Sequence, residues 1–114
     1  MPDVIVKAST DRNFTQEIEA GSHSLVCDVS KSLGGDEKGP DPHQLLLSSL
    51  GACTAITVQM YAKRKGWNLD KVTINLKEEK TEDPENTSRT MPKIVREIEL
   101  EGELTEEQVE DLKR

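Results

Sequence analysis

Cys53 is the residue best placed to do chemistry in this sequence. It sits within Gly51-Ala52-Cys53-Thr54-Ala55, where small neighbours leave room for another molecule to reach the sulfur. A thiolate is a strong nucleophile and a neutral thiol a poor one, so a reactive Cys53 also needs a cation close by. Periodicity alone favours the plainer reading, a buried cysteine acting as a small hydrophobe. The other cysteine, Cys27, alternates with Leu25 and Val29 and is expected in a core.

Other chemical constellations are weak. A metal centre from His23, Cys27, His43 and Cys53 would need four separated positions to converge, so none is expected. Gly34-Gly35-Asp36-Glu37-Lys38-Gly39 has the wrong spacing for a phosphate loop, lacks the following Lys-Ser/Thr, and carries acids that repel phosphate. Glu78-Glu79 and Glu106-Glu107 lie in polar stretches and read as solvated faces.

Composition narrows the classes further. With 114 residues the chain has the length of one domain, expected to span 1–114, and enough surface to bury without metal or disulfide support. Charged residues make up 32% and aromatic residues 3%, so the core must come mainly from Leu, Val, Ile and Ala, with extra core expected from a partner chain. A net charge of -7 argues against nucleic acid, since the one basic cluster, Lys63-Arg64-Lys65, ends a helix where cations suit the dipole. The N-terminus shows no basic segment followed by an apolar run, and the apolar stretch from Leu45 to Tyr61 is short for a bilayer span and interrupted by polar residues. No membrane partner and a cytoplasmic, reducing location are the expectation.

The elements that must carry Cys53 follow from patterning. Val4 to Ala8, Phe14 to Ala20 and His23 to Val29 read as three strands of an antiparallel meander, followed by a loop from Ser30 to Asp41. Asp41 as N-cap, Pro42 at the first helical position and Gln44 as the capping-box partner start a helix. Its body, Leu45 to Lys65, is apolar on nearly every side, which predicts burial, and Gly66 ends it with Trp67 packing back. Lys71 to Lys80 and Lys93 to Glu101 read as paired strands around a polar hairpin loop, Thr81 to Pro92. Thr105 opens a second helix, which looks unfinished at Arg114. The fold class is α+β.

Several stretches together resemble one family. Gly34-Gly35, Gly39-Pro40-Asp41-Pro42-His43-Gln44-Leu45-Leu46-Leu47, Leu50-Gly51-Ala52-Cys53-Thr54-Ala55, Met60-Tyr61-Ala62 and Lys65-Gly66-Trp67 resemble the OsmC/Ohr family, nearest its general OsmC-like branch. The resemblance implies antiparallel sheets wrapped around long buried central helices of an intertwined homodimer. It also implies thiol-dependent reduction of organic hydroperoxides, with no bound cofactor.

Carried over by position, Cys53 matches the peroxidatic cysteine. The arginine of the first hairpin loop in the hydroperoxide-resistance branch falls on Arg12, where it would hold Cys53 as thiolate and orient the peroxide. The carboxylate that branch places ten residues before its cysteine is His43 here, and the Glu usual one position later is Gln44. Ten helical residues span about 15 Å, so His43 reaches Cys53 only across a dimer crossing or a helix break. The family's resolving cysteine, in its last helix, has no counterpart before Arg114. An oxidised Cys53 would then need an external thiol or dithiol reductant. Leu46, Leu50 and Met60 would supply an apolar wall favouring organic peroxides. Two rivals stand beside this expectation: a catalytically impaired homodimeric domain that holds a small apolar ligand, and a shortened form of a competent enzyme.

Overall fold

Three short strands open the chain, two of them rich in β-branched and other apolar residues and one, Gln16–Ala20, alternating. In the computed structural model, which describes residues 2–83 and 85–114, these are β1 (Val4–Ala8), β2 (Gln16–Ala20) and β3 (His23–Cys27). They form an antiparallel sheet in the order β1-β2-β3, with Val6 opposite Ile18 and Ile18 opposite Leu25. Contacts divide the chain into two units, Met1–Leu46 and Leu47–Arg114, each described by itself below.

In the first unit β2 and β3 are shorter than their sequence pattern suggests. A 3-10 turn, Thr10–Arg12, and a turn bond from Thr15 N–H to the Arg12 carbonyl delay β2 until Gln16. At the other end Asp28 halts β3. Its carboxylate is buried, 1% exposed, and accepts from the Thr15 hydroxyl at 2.8 Å, Val29 N–H at 2.7 Å and Lys38 N–H at 3.2 Å. Burial pushes this carboxyl up, but those hydrogen bonds and one from the Asp36 N–H outweigh it and hold it below the usual range. One side chain thus organises the loop leading to the helix. Cys27 is 4% exposed, a core position as expected, and burial, reinforced by Asp41 and Asp28, raises its thiol above the ordinary value.

The long helix, α1, runs from Pro42 to Lys65. Its capping box is formed: Gln44 N–H donates to Asp41 Oδ1 at 2.7 Å, and Asp41 N–H donates to Gln44 Oε1 at 2.9 Å. It ends in a Schellman motif, with Trp67 N–H on the Ala62 carbonyl, Gly66 N–H on the Lys63 carbonyl, and Gly66 at φ 73°. Within one chain α1 is not enclosed. Gly51, Val58 and Ala62 are buried, whereas Ile56 is 49% and Met60 67% exposed. At 24 residues it exceeds the Leu45–Tyr61 run and is, on length and composition alone, long and apolar enough to cross a bilayer.

The second unit contains β4 (Asn68–Asp83), β5 (Asn86–Glu103) and α2 (Glu106–Leu112). The expected loop from Thr81 to Pro92 is mostly strand: the ladder continues through Thr81–Met91 and Glu82–Thr90, leaving Glu85 in a turn. Polar composition misleads here because the ladder is made of backbone hydrogen bonds, which need no apolar side chains. Val58, Ala62 and Leu112 form the core of this unit, with Tyr61, Trp67, Leu69, Val72, Leu100 and Leu104 packed around them. α2 begins at its N-cap Thr105, as expected, with a capping box between Thr105 and Gln108.

Candidate active site

Cys53 is exposed, and it opens onto a cavity of about 450 Å³ in the second unit. The cavity is walled by apolar side chains, Leu50, Val58, Ile98 and Leu112, and by the polar groups of Thr54, Thr57 and Arg96. The sulfur is therefore accessible on a surface that is neither fully wet nor sealed.

The polar part of this wall is built in steps. Gly51 lacks a side chain, so the β4–β5 ribbon can press against α1: a methyl group at 51 would lie 2.7 Å from Leu76 Cδ1. Leu76 pairs across the ladder with Arg96, which shares its strand face with Ile98 and Leu100. From there Arg96 Nη1 donates to Thr54 Oγ1 at 2.9 Å. The Thr54 hydroxyl in turn donates to the Leu50 carbonyl at 2.9 Å, and Thr57 Oγ1 donates to the Cys53 carbonyl at 2.8 Å. Hydroxyls that back-bond to the preceding turn have fixed orientations, so the Thr54 lone pairs face the guanidinium.

Also lining the cavity, Tyr61 donates to Asp111 Oδ2 at 2.9 Å, tying α1 to α2. That hydrogen bond, with burial and the Asp111 charge, raises the Tyr61 phenol above its usual value. The Trp67 ring meets Tyr61 edge-on, 5.6 Å between centroids.

Among the described residues no carboxylate lies within ion-pairing distance of Arg96. Arg12, the arginine singled out from sequence, has a different setting. It ends the 3-10 turn of the first unit, is exposed, and is ion-paired with Glu17. His43 and Gln44 occupy the first turn of α1, and the Gln44 side-chain oxygen is engaged by the Asp41 N–H. Leu46 is 60% exposed, and Met60 lies on α1 away from the cavity lining, whereas Leu50 is part of it. Cys53 and Leu50 are thus brought together in one cavity. Arg96, Thr54 and Thr57 are the residues that sequence reading did not single out. Arg96 had a signal: it is an arginine on the apolar face of an alternating strand.

The profile of the OsmC-like protein family matches residues 34–114, a segment that contains α1, the ribbon, α2 and Cys53. The chain belongs to the OsmC-like family. Solved structures share the fold. An OsmC-like protein of Mycoplasma pneumoniae superposes with a TM-score of 0.76 at 20% identity, over 96% of this chain and 75% of that one. A Psychrobacter arcticus protein, named for osmotic stress induction and detoxification, gives 0.75 at 16% identity over 99% and 80%. An organic hydroperoxide resistance protein OsmC from Legionella pneumophila gives 0.64 at 23% identity over 96% and 77%. No curated protein sequence matches the chain. This member of the OsmC-like family therefore has the expected α+β fold, with antiparallel sheets and a long helix bearing the cysteine.

Proposed function

We propose that this OsmC-like chain reduces organic hydroperoxides through Cys53, as a homodimer in a reducing, cytoplasmic setting. The observation that carries the reading is an exposed Cys53 thiol on a largely apolar cavity wall, while the chain's other thiol, Cys27, is buried. Structural relatives named for organic hydroperoxide resistance support the same chemistry at the level of the family.

In the reaction, the Cys53 thiolate attacks the terminal oxygen of ROOH. The S–O bond forms as the O–O bond breaks, and the electron pair leaves on RO⁻, which takes up a proton as ROH. Sulfur is oxidised to the sulfenic acid and the peroxide is reduced to the alcohol. Two equivalents of an external thiol, or one dithiol, then return Cys53 to the thiol and release water. Leu50, Val58 and Ile98 favour an organic substituent over water around the scissile bond, with Leu46 and Met60 as further apolar surface on α1. A second copy of the chain covers the apolar side chains that α1 leaves exposed, and His43 and Gln44 contribute at the helix start.

The test is peroxide consumption with cumene hydroperoxide and a dithiol. The reading expects turnover by the wild type and by Cys27→Ser, and none by Cys53→Ser. Equal rates for wild type and Cys53→Ser would overturn it.

A further inference from the structure

We propose that Arg96 is a cation of the Cys53 site. The inference deepens the peroxidase reading, but it rests on the geometry of the cavity and can fail or succeed separately.

Three observations converge. Arg96 and Cys53 line the same cavity. The guanidinium is docked on the hydroxyl of Thr54, the residue next to Cys53 in the chain, and that hydroxyl is itself fixed by the Leu50 carbonyl. Finally, no described carboxylate is paired with Arg96. A guanidinium carries five N–H donors in a rigid fork, and docking through Nη1 leaves others to meet a ligand. Arg96 is solvent-exposed, so water screens part of its charge, and the effect expected at the sulfur is that of a partly screened unit charge.

The role follows from the charge flow. As the Cys53 sulfur takes the terminal oxygen of ROOH, negative charge arrives on the departing alkoxide. Arg96 donates a hydrogen bond to that oxygen, holding the peroxide in line before the bond breaks and stabilising the charge as it leaves. Thr54 is the positioning residue: it touches Arg96 and not the peroxide. Gly51 acts one step further back, since it sets the approach of the strand that carries Arg96.

The experiment compares wild type, Arg96→Met, Arg96→Lys and Arg12→Met, with two readouts on the Cys53 peptide followed by mass spectrometry. The first is the ratio of alkylation rates by iodoacetate and by iodoacetamide, which reports a positive charge at the sulfur without any peroxide chemistry. The ratio should fall about fivefold in Arg96→Met, the size of one unit charge about 4 Å away and screened as in water. It should be retained in Arg96→Lys. An unchanged ratio in Arg96→Met, or a fall only in Arg12→Met, overturns the proposal. The second readout is the rate of Cys53 oxidation by cumene hydroperoxide. It should fall at least tenfold in Arg96→Met, as expected for losing one charge-stabilising donor. If wild type reacts with the peroxide and Arg96→Met reacts equally fast, the peroxidase reading stands and the Arg96 assignment falls. If wild type is inert to the peroxide while the alkylation ratio still falls in Arg96→Met, the assignment stands and the peroxidase reading falls.

Discussion

Gly51 and Leu76 meet where the helix has no side chain to offer: a methyl group on residue 51 would lie 2.7 Å from Leu76 Cδ1. The nearest atom is the end of a flexible side chain, so Leu76 can rotate away from one added carbon. Gly51→Ala should therefore change stability by no more than about 1 kcal/mol, since improved helix propensity offsets the crowding. Gly51→Leu cannot be absorbed in this way. It should cost about 1–3 kcal/mol by overpacking. Because Leu76 is the ladder partner of Arg96, it should also lower the iodoacetate preference of Cys53. Urea denaturation and alkylation rates check the two effects.

Gly66 stands at φ 73° with open space where a side chain would go, so its role is conformational and not steric. Gly66→Ala should destabilise by about 1–2 kcal/mol, the cost of a left-handed backbone for an L-residue. Gly66→Asn should recover part of the loss, because asparagine tolerates that region. Thermal denaturation of the two variants tests this directly.

Asp28 sets an acid limit. Its carboxyl is held below the ordinary range, so the stabilisation it contributes is complete above about pH 4, where the unfolded carboxyl is ionised. It is lost as pH falls through the depressed native value. The denaturation midpoint should drop between pH 7 and pH 3, and Asp28→Asn should lower the midpoint at pH 7 and flatten that pH dependence. A wild-type midpoint independent of pH over this range would contradict the assignment.

Met60 is 67% exposed and Ile56 49% exposed on the long helix α1. Covering by a second copy predicts a dimer in sedimentation velocity. A charge placed at that surface, Met60→Glu, should shift the protein toward monomer, because burying a lone carboxylate is costly. A wild-type monomer at micromolar concentration would count against the second copy.

Much of this architecture can be read from residue types. Asp41, Pro42 and Gln44 announced the start of α1 through hydrogen-bonding capacity, and Gly66 announced its end through conformational freedom. Both signals are local, and local signals survive into the fold. The burial of α1 is not local. An all-round apolar helix reports that something covers it, not whether the cover belongs to the same chain, and here Ile56 and Met60 are left open. Strand length was hidden for a different reason: Thr81 to Pro92 is polar, yet a ribbon extends on backbone bonds that composition does not reveal. At the site, Cys53 was legible because thiols are rare and its neighbours are small. Arg96 was overlooked because Glu97, Glu99 and Glu101 follow it in sequence and make it look solvated. Alternation places it on the opposite face from those acids, with Ile98 and Leu100.

The most direct measurement is the mass of the Cys53 peptide after brief treatment with one equivalent of cumene hydroperoxide at neutral pH, with the sulfenic acid trapped by dimedone. The account predicts rapid, near-stoichiometric labelling of Cys53 and none of Cys27, at a rate far above that of free cysteine. Labelling of Cys53 no faster than free cysteine would contradict it.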